Sequence, residues 1–377
     1  MKKLAAAALA AALLVLPVRA APAAAAVDAA AAVLMEKETG TVLYEQEAHK
    51  KLEPASVTKV MTLLLVMEAV DSGALSREEV VTVSTRAASM GGSQVYLKEG
   101  EQMMVDDLLK AVAVASGNDA AVALAEHLCG SEEAFVSRMN QKAAELGMGD
   151  TCFVNCTGLP AAGHLTSAYD IALMSRALIL EHPSIREYTT IWMDSLRGGQ
   201  FQLVNTNKLV RSYPGATGLK TGSTDAAGYC LSATAERDGM ELIAVILKAP
   251  TSAERSAAAA SLLNYGFANY TLMEACPGQA LPPVDVLLGE EETVQPVLSG
   301  SSRILVEKTM VGQVETRLEL AADVEAPVEP GQTLGQLSVY AGDKLLQTIP
   351  LTADRPVERL TVSGIFARLL RTLFMAE

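Results

Sequence analysis

From Val60 to Val70 the chain is almost unbrokenly apolar, and this run follows directly on Pro54-Ala55-Ser56-Val57-Thr58-Lys59. A helix that is apolar nearly all round is a buried one, and Pro54 stands where a helix can begin. Ahead of it, Ala31–Leu34 and Thr41–Tyr44 read as two strands joined at Glu38-Thr39-Gly40. Between Leu75 and Gly100 the pattern breaks up around Gly91-Gly92, with strand-like pieces at Val80–Val83 and Gln94–Leu97. Helical periodicity then predicts Met104–Val114, Ala120–Leu128, Glu132–Leu146 and Ser167–Leu180, with Ser131 and Thr166 as caps of the last two. The texture turns to strands from Gly215 to Leu247. There Ala233–Arg237 and Met240–Leu247 flank Asp238-Gly239, a hairpin signal. A helix over Ala253–Phe267 closes this part. Strands from both ends around a helical middle predict an α+β domain over residues 27–275.

Past Pro277 the chain is punctuated by proline and glycine between short β-rich runs: Val284–Leu288, Thr293–Leu298, Ile304–Val306, Val314–Leu320, Gln336–Tyr340 and Leu345–Leu351. This predicts a small all-β, sandwich-like or barrel module over residues 276–355. It carries no reactive constellation. Residues 356–377 hold an amphipathic segment. Val362, Ile365, Phe366, Leu369, Leu370, Leu373 and Phe374 fall on one half of a helical wheel, and Thr361, Gly364, Arg368, Arg371 and Thr372 on the other. Fourteen residues make a helix of about 21 Å, too short for a bilayer core of about 30 Å. Packing onto the second domain would explain the pattern. The terminal position, the basic polar face and the two phenylalanines favour a membrane-surface anchor.

Composition sharpens this picture in three places. The net charge of −14 argues against a nucleic-acid partner. Lys2 and Lys3 before an apolar run to Val18 predict a secretory signal peptide, cut after Val18-Arg19-Ala20 or at Ala24-Ala25-Ala26. Residues 1–26 are therefore read as leader and linker, and the protein as exported. Removing the three leader cations leaves a charge of about −17. The five cysteines (Cys129, Cys152, Cys156, Cys230, Cys276) are odd in number, so at least one is unpaired. No four-ligand spacing appears, so neither metal nor cofactor is expected, and the cysteines read as buried thiols.

The chemistry lies in three short motifs. Ser56 and Lys59, three apart, share one face of a helix. Burial lowers the pKa of an ammonium and leaves an amine able to take the serine's proton. Taken singly, Ser-x-x-Lys is usually a cap with a snorkelling lysine. Ser116-Gly117-Asn118, between two helical segments, would by itself be a cap. Lys220-Thr221-Gly222 would be a strand end with a glycine bulge.

In this order the three resemble the signature of penicillin-binding proteins and serine β-lactamases. The chain is similar to the D-alanyl-D-alanine carboxypeptidases among low-molecular-mass penicillin-binding proteins. Ala55-Ser56-Val57-Thr58-Lys59, Ser116-Gly117-Asn118 and Gly218-Leu219-Lys220-Thr221-Gly222 match, as do Asn205-Thr206-Asn207-Lys208-Leu209 and Asp225-Ala226-Ala227-Gly228-Tyr229. The resemblance implies a β-lactamase/transpeptidase-like domain followed by a β-rich one. It implies peptidoglycan stem peptides ending in D-Ala-D-Ala as substrate and β-lactams as covalent inhibitors. Ser56 would be the nucleophile, Lys59 the base, and Ser116 the proton route to the leaving amine. Asn118 would hold the substrate's peptide amide, and Lys220 and Thr221 its terminal carboxylate, with Arg255 nearby. Gly222 would let a strand pass close to the ligand. The backbone N–H groups of Ser56 and Ser223 would hold the oxyanion.

Two departures from the family pattern bear on specificity. The middle motif is Ser-Gly-Asn rather than Ser-Asp-Asn, which favours carboxypeptidases over class A β-lactamases. Ser223 stands where some relatives carry histidine. No Gly-x-Ser-x-Gly elbow occurs, and His164 reads as structural, so a Ser-His-Asp hydrolase is a poor alternative. The rivals are a transpeptidase, endopeptidase or β-lactamase at the same site, and a catalytically silent peptidoglycan-binding protein.

Overall fold

The computed structural model describes residues 27–275 and 280–374. The expected signal peptide and Cys276 lie outside them. Strands β1 (Ala31–Glu36), β2 (Val42–Gln46), β3 (Ala216–Thr224), β4 (Gly228–Arg237) and β5 (Met240–Ala249) form one sheet in the order β2-β1-β5-β4-β3. The N-terminal strand β1 thus pairs antiparallel with the C-terminal β5, Val33 opposite Val245. The β4–β5 turn uses Asp238 and Gly239, both at positive φ, as a type I′ hairpin requires.

The sheet divides two cores because its central strands are buried on both faces. Val33, Met35, Ile243 and Val245 face the larger core, which holds the helices α1 (Lys59–Asp71), α2 (Val105–Ala113), α3 (Asn118–Cys129), α4 (Glu132–Glu145) and α5 (Ala168–Glu181). Leu34, Leu242, Ala244 and Ile246 face helix α6 (Ser252–Asn269) through Ala259, Leu262 and Leu263. Helix α1 is buried from Lys59 to Met67, as its all-round apolar sequence predicts.

Several local expectations are corrected. Ser56 lies on a 3₁₀ turn, Ala55–Thr58, and the α-helix starts only at Lys59. Gln94–Leu97 is not a strand, because the N–H groups of Val95 and Leu97 are captured by the Asp119 carboxylate, both at 3.0 Å. The partner of Val80–Thr82 is instead Gln102–Met104. Ser167, not Thr166, caps α5 by accepting the Asp170 N–H. An unpredicted hairpin pairs Met193–Leu196 with Phe201–Val204. Cys129, Cys152, Cys156 and Cys230 are all free thiols, and Cys152 is exposed rather than buried.

Leaving α6, Tyr270–Glu274 pairs with Arg303–Glu307. The second domain adds a four-stranded sheet, in which Thr333–Ala341 and Lys344–Ala353 form the central hairpin, and a three-stranded sheet around Val284–Leu287. Thr293–Leu298 splits at Gln295, its two halves joining different sheets. Two small cores result, one around Val284, Val294 and Val328, the other around Ile304, Leu337 and Ile349. Helix α7 (Val362–Phe374) follows.

Candidate active site

The polar centre lies where the 3₁₀ turn before α1, the α2–α3 loop and strand β3 converge. The turn can meet β3 because residue 222 is glycine. A Cβ there would lie 2.7 Å from the Ser56 backbone nitrogen and 2.8 Å from the Pro54 oxygen. The close approach that the structure shows at Gly222 is to the turn that carries Ser56. Ser116, in the left-handed region at φ 64°, carries its side chain into the same cleft. That cleft has a volume of about 180 Å³ and is lined by Ser56, Ser116, Thr221, Ser223 and Arg255, among others.

Lys59 is wholly buried. Its Nζ donates to Ser56 Oγ at 2.9 Å, Asn118 Oδ1 at 2.6 Å and the Thr157 carbonyl at 2.8 Å. Burial drags its pKa down to about 7, against small opposing contributions from Cys156 and Asp119. An amine poised at that value beside a serine hydroxyl is a base matched to neutral pH.

Lys220 is buried too, and its Nζ donates to the Thr221 carbonyl at 3.1 Å. Desolvation first, then the like charges of Lys59 and Arg255, hold its pKa well below the usual lysine range. Arg255, 5% exposed, donates to the carbonyls of Gly222 and Cys230 and to Ser252 Oγ, and its Nε has no partner. Arg255 on the cleft wall, with Lys220 buried close enough to feel its charge, offers positive potential to an anion entering there.

The motif residues therefore come together, with two differences in detail. The Asn118 amide is engaged at both ends, accepting from Lys59 and donating to the Gly91 carbonyl at 2.6 Å. In this arrangement it orients Lys59, and a ligand amide would have to displace the Gly91 contact. Ser116 Oγ is buried without a hydrogen-bond partner among the described residues. A hydroxyl left so costs about 1–3 kcal/mol, a debt that a ligand's amine can settle. Sequence reasoning gave no role to Thr206, which accepts from Thr221 Oγ1 at 2.7 Å and lines the cleft, nor to the Thr157 carbonyl. Thr206 lies in the Asn205-Thr206-Asn207 stretch already matched. A backbone carbonyl leaves no signal in the sequence.

Residues 18–251 match the family model described as D-alanyl-D-alanine carboxypeptidase. Residues 274–359 match that of the penicillin-binding protein 5 C-terminal domain. The chain is 41% identical over 350 residues to D-alanyl-D-alanine carboxypeptidase DacF of Bacillus subtilis, covering 91% of this chain and 88% of that one. Penicillin-binding protein 5 from Haemophilus influenzae superposes with a TM-score of 0.81 at 29% identity, covering 89% of this chain and 99% of the other. Penicillin-binding protein D2 from Listeria monocytogenes, in its ampicillin-bound form, is 37% identical with a TM-score of 0.59, covering 64% of this chain and 98% of its own. The motif order, the paired buried lysines and the two-domain match converge, and this chain belongs to the D-alanyl-D-alanine carboxypeptidase family of serine-type peptidases.

Proposed function

We propose that this protein removes the terminal D-alanine from peptidoglycan stem peptides through an acyl-enzyme at Ser56, and that penicillins acylate the same residue. The observation that carries the reading is the buried Lys59 Nζ, 2.9 Å from Ser56 Oγ, with its pKa lowered to about 7. Neutral Lys59 takes the Oγ proton as Oγ bonds to the scissile carbonyl carbon. The oxyanion that forms is met by the N–H groups of Ser56 and Ser223. Collapse breaks the C–N bond, and the departing amine takes a proton delivered through Ser116. Water, activated by the same base, then releases the product acid. The substrate's terminal carboxylate enters the cationic cleft of Lys220, Arg255 and the Thr221 hydroxyl, supplying the counter-charge those buried cations lack.

A silent binding protein needs no activated nucleophile, so the Ser56–Lys59 pair speaks against it. The acceptor, water or amine, separates carboxypeptidase from transpeptidase. The test incubates the purified protein with a labelled penicillin and with a peptide ending in D-Ala-D-Ala. Released D-alanine and a covalent adduct on Ser56, both abolished in Ser56→Ala, are expected. An adduct mapped to Ser116 overturns the assignment.

We further propose that residues 1–26 direct export and that α7 holds the enzyme on the outer face of the cytoplasmic membrane. No helix among the described residues is long and apolar enough to cross a membrane. The apolar face of α7 is open, with Phe366 63% and Phe374 84% exposed, which supports a helix lying in an interface. Val357 belongs to a core of the second domain, so the truncation that tests the anchor should stop after Leu360. The shortened protein is expected in the soluble fraction of lysed cells. Retention on membranes as firm as that of the full chain refutes the anchor.

A further inference from the structure

Ala55 and Ser56 share one peptide plane, and that plane is gripped from several sides. Ala55 sits in the left-handed region at φ 47°, unusual for a residue with a Cβ. Its carbonyl accepts from Thr58 Oγ1 at 2.9 Å. Thr58 Oγ1 in turn lies 2.8 Å from His164 Nε2, and His164 Nδ1 accepts the Val154 N–H at 3.0 Å. Because Nδ1 accepts, the imidazole proton resides on Nε2. It is donated to Thr58, which leaves the threonine hydroxyl only the Ala55 carbonyl to donate to. Each hydrogen in the chain from Val154 to Ala55 therefore has one direction. Thr58 and His164 are both buried, and burial holds the imidazole pKa down at about 4, so the ring is neutral at pH 7. Gly158 closes the other side, since a Cβ there would lie 1.8 Å from the Ala55 oxygen.

A trans peptide is planar, with its C=O and N–H pointing in opposite directions. Whatever fixes the Ala55 carbonyl therefore fixes the direction of the Ser56 N–H. We infer that His164, acting through Thr58, is a positioning residue that aims the Ser56 N–H into the oxyanion site. The inference rests on acylation at Ser56, as proposed above. An oxyanion donor matters in the transition state more than in the ground state. Losing its aim should thus slow acylation and leave non-covalent binding in place.

Single-turnover acylation of the full chain by a labelled penicillin separates the dissociation constant of the initial complex from the acylation rate constant. His164→Asn keeps an acceptor for Val154 but cannot reach Thr58. His164→Gln extends an amide N–H towards Thr58. His164→Asn is expected to lower the acylation rate constant tenfold or more with the dissociation constant within threefold, and His164→Gln to restore it to within threefold of wild type. Thr58→Val, which keeps shape and removes the hydroxyl, should match His164→Asn, and the double variant should be no slower than either. It also carries the test if His164→Asn does not fold. Rescue by Asn but not Gln means that His164 merely holds the Val154 loop, and the inference fails. It fails equally if His164→Asn and Thr58→Val acylate at the wild-type rate, or if only the dissociation constant changes. Absence of any adduct in the wild type would overturn the functional reading and this inference together.

Discussion

The two domains treat charge in opposite ways. In the first, Lys59, Asp119, Lys220, Glu241 and Arg255 are all at least 95% buried. In the second, the buried residues among those described are apolar except for Ser338. Burying an ion costs several kcal/mol unless partners compensate, and the first domain compensates selectively. Asp119 is satisfied by the N–H groups of Val95, Leu97 and Ala120, and Glu241 by Lys37, Arg186 and Thr217. The cleft cations have carbonyls and hydroxyls around them but, among the described residues, no carboxylate in hydrogen-bonding contact. Asp119 and Glu241 are neutralised, and the cleft cations are left without a counter-ion among the described residues. The second domain holds two small apolar cores and buries no charged side chain among the described residues.

The contrast breaks first at the lysines. Lys59→Arg keeps the charge but cannot release a proton near neutrality, so acylation should fall by about 10³-fold or more. Lys220→Arg keeps a carboxylate partner, so measurable acylation should persist with weaker recognition of the carboxylate. Equal losses in the two variants would erase the division between base and receptor.

Gly222→Ala comes next. Its methyl would press on the Ser56 nitrogen and the Pro54 oxygen, backbone atoms that cannot step aside. Acylation should drop by about 10²-fold, through loss of aligned geometry at the nucleophile. Normal acylation would show that the turn and β3 need not touch.

The pH profile follows. Lys59 acts as a base only when neutral, and its pKa is lowered to about 7. Acylation should therefore level off above that pH and fall about tenfold for each unit well below it. A rate that rises as pH falls would exclude Lys59 as the base.

The smallest effect on chemistry is expected in the second domain. Leu337→Ala opens a cavity in one of its small cores and should cost about 2–5 kcal/mol of that domain's stability. Acylation should stay within twofold of wild type. A large drop in rate with the domain still folded would mean that the two domains are coupled.

What could be read in advance divides along the same line. Motifs made of side-chain types at short spacing (Ser56 with Lys59, Ser116 with Asn118, Lys220 with Thr221 and Gly222) are carried by the linear chain. So are the buried α1, the Asp238-Gly239 hairpin and the open face of α7, because periodicity is a local property. The extended stretch at Gln94–Leu97 misled, because its hydrogen bonds go to a carboxylate on α3 that no local pattern announces. The helix cap at Ser167 and the 3₁₀ start before α1 shifted by a residue or a turn, as helix ends do when neighbouring contacts decide between close alternatives.

Residue types, their order and their periodicity were enough to identify the fold class and the family, and to name the candidate reacting groups. Tertiary structure alone decided what those groups are. Desolvation brings Lys59 to about 7, and the same burial beside Lys59 and Arg255 pulls the Lys220 pKa well below the usual lysine range, so that an anion at its side would favour its charged form. Burial and charge depend on residues far off in the chain, such as Asn118 and Thr157, 59 and 98 positions from Lys59. For that reason the hydrogen bond from Lys59 to Asn118 and the contact of His164 with Thr58, behind the Ala55–Ser56 peptide, are visible only in the fold.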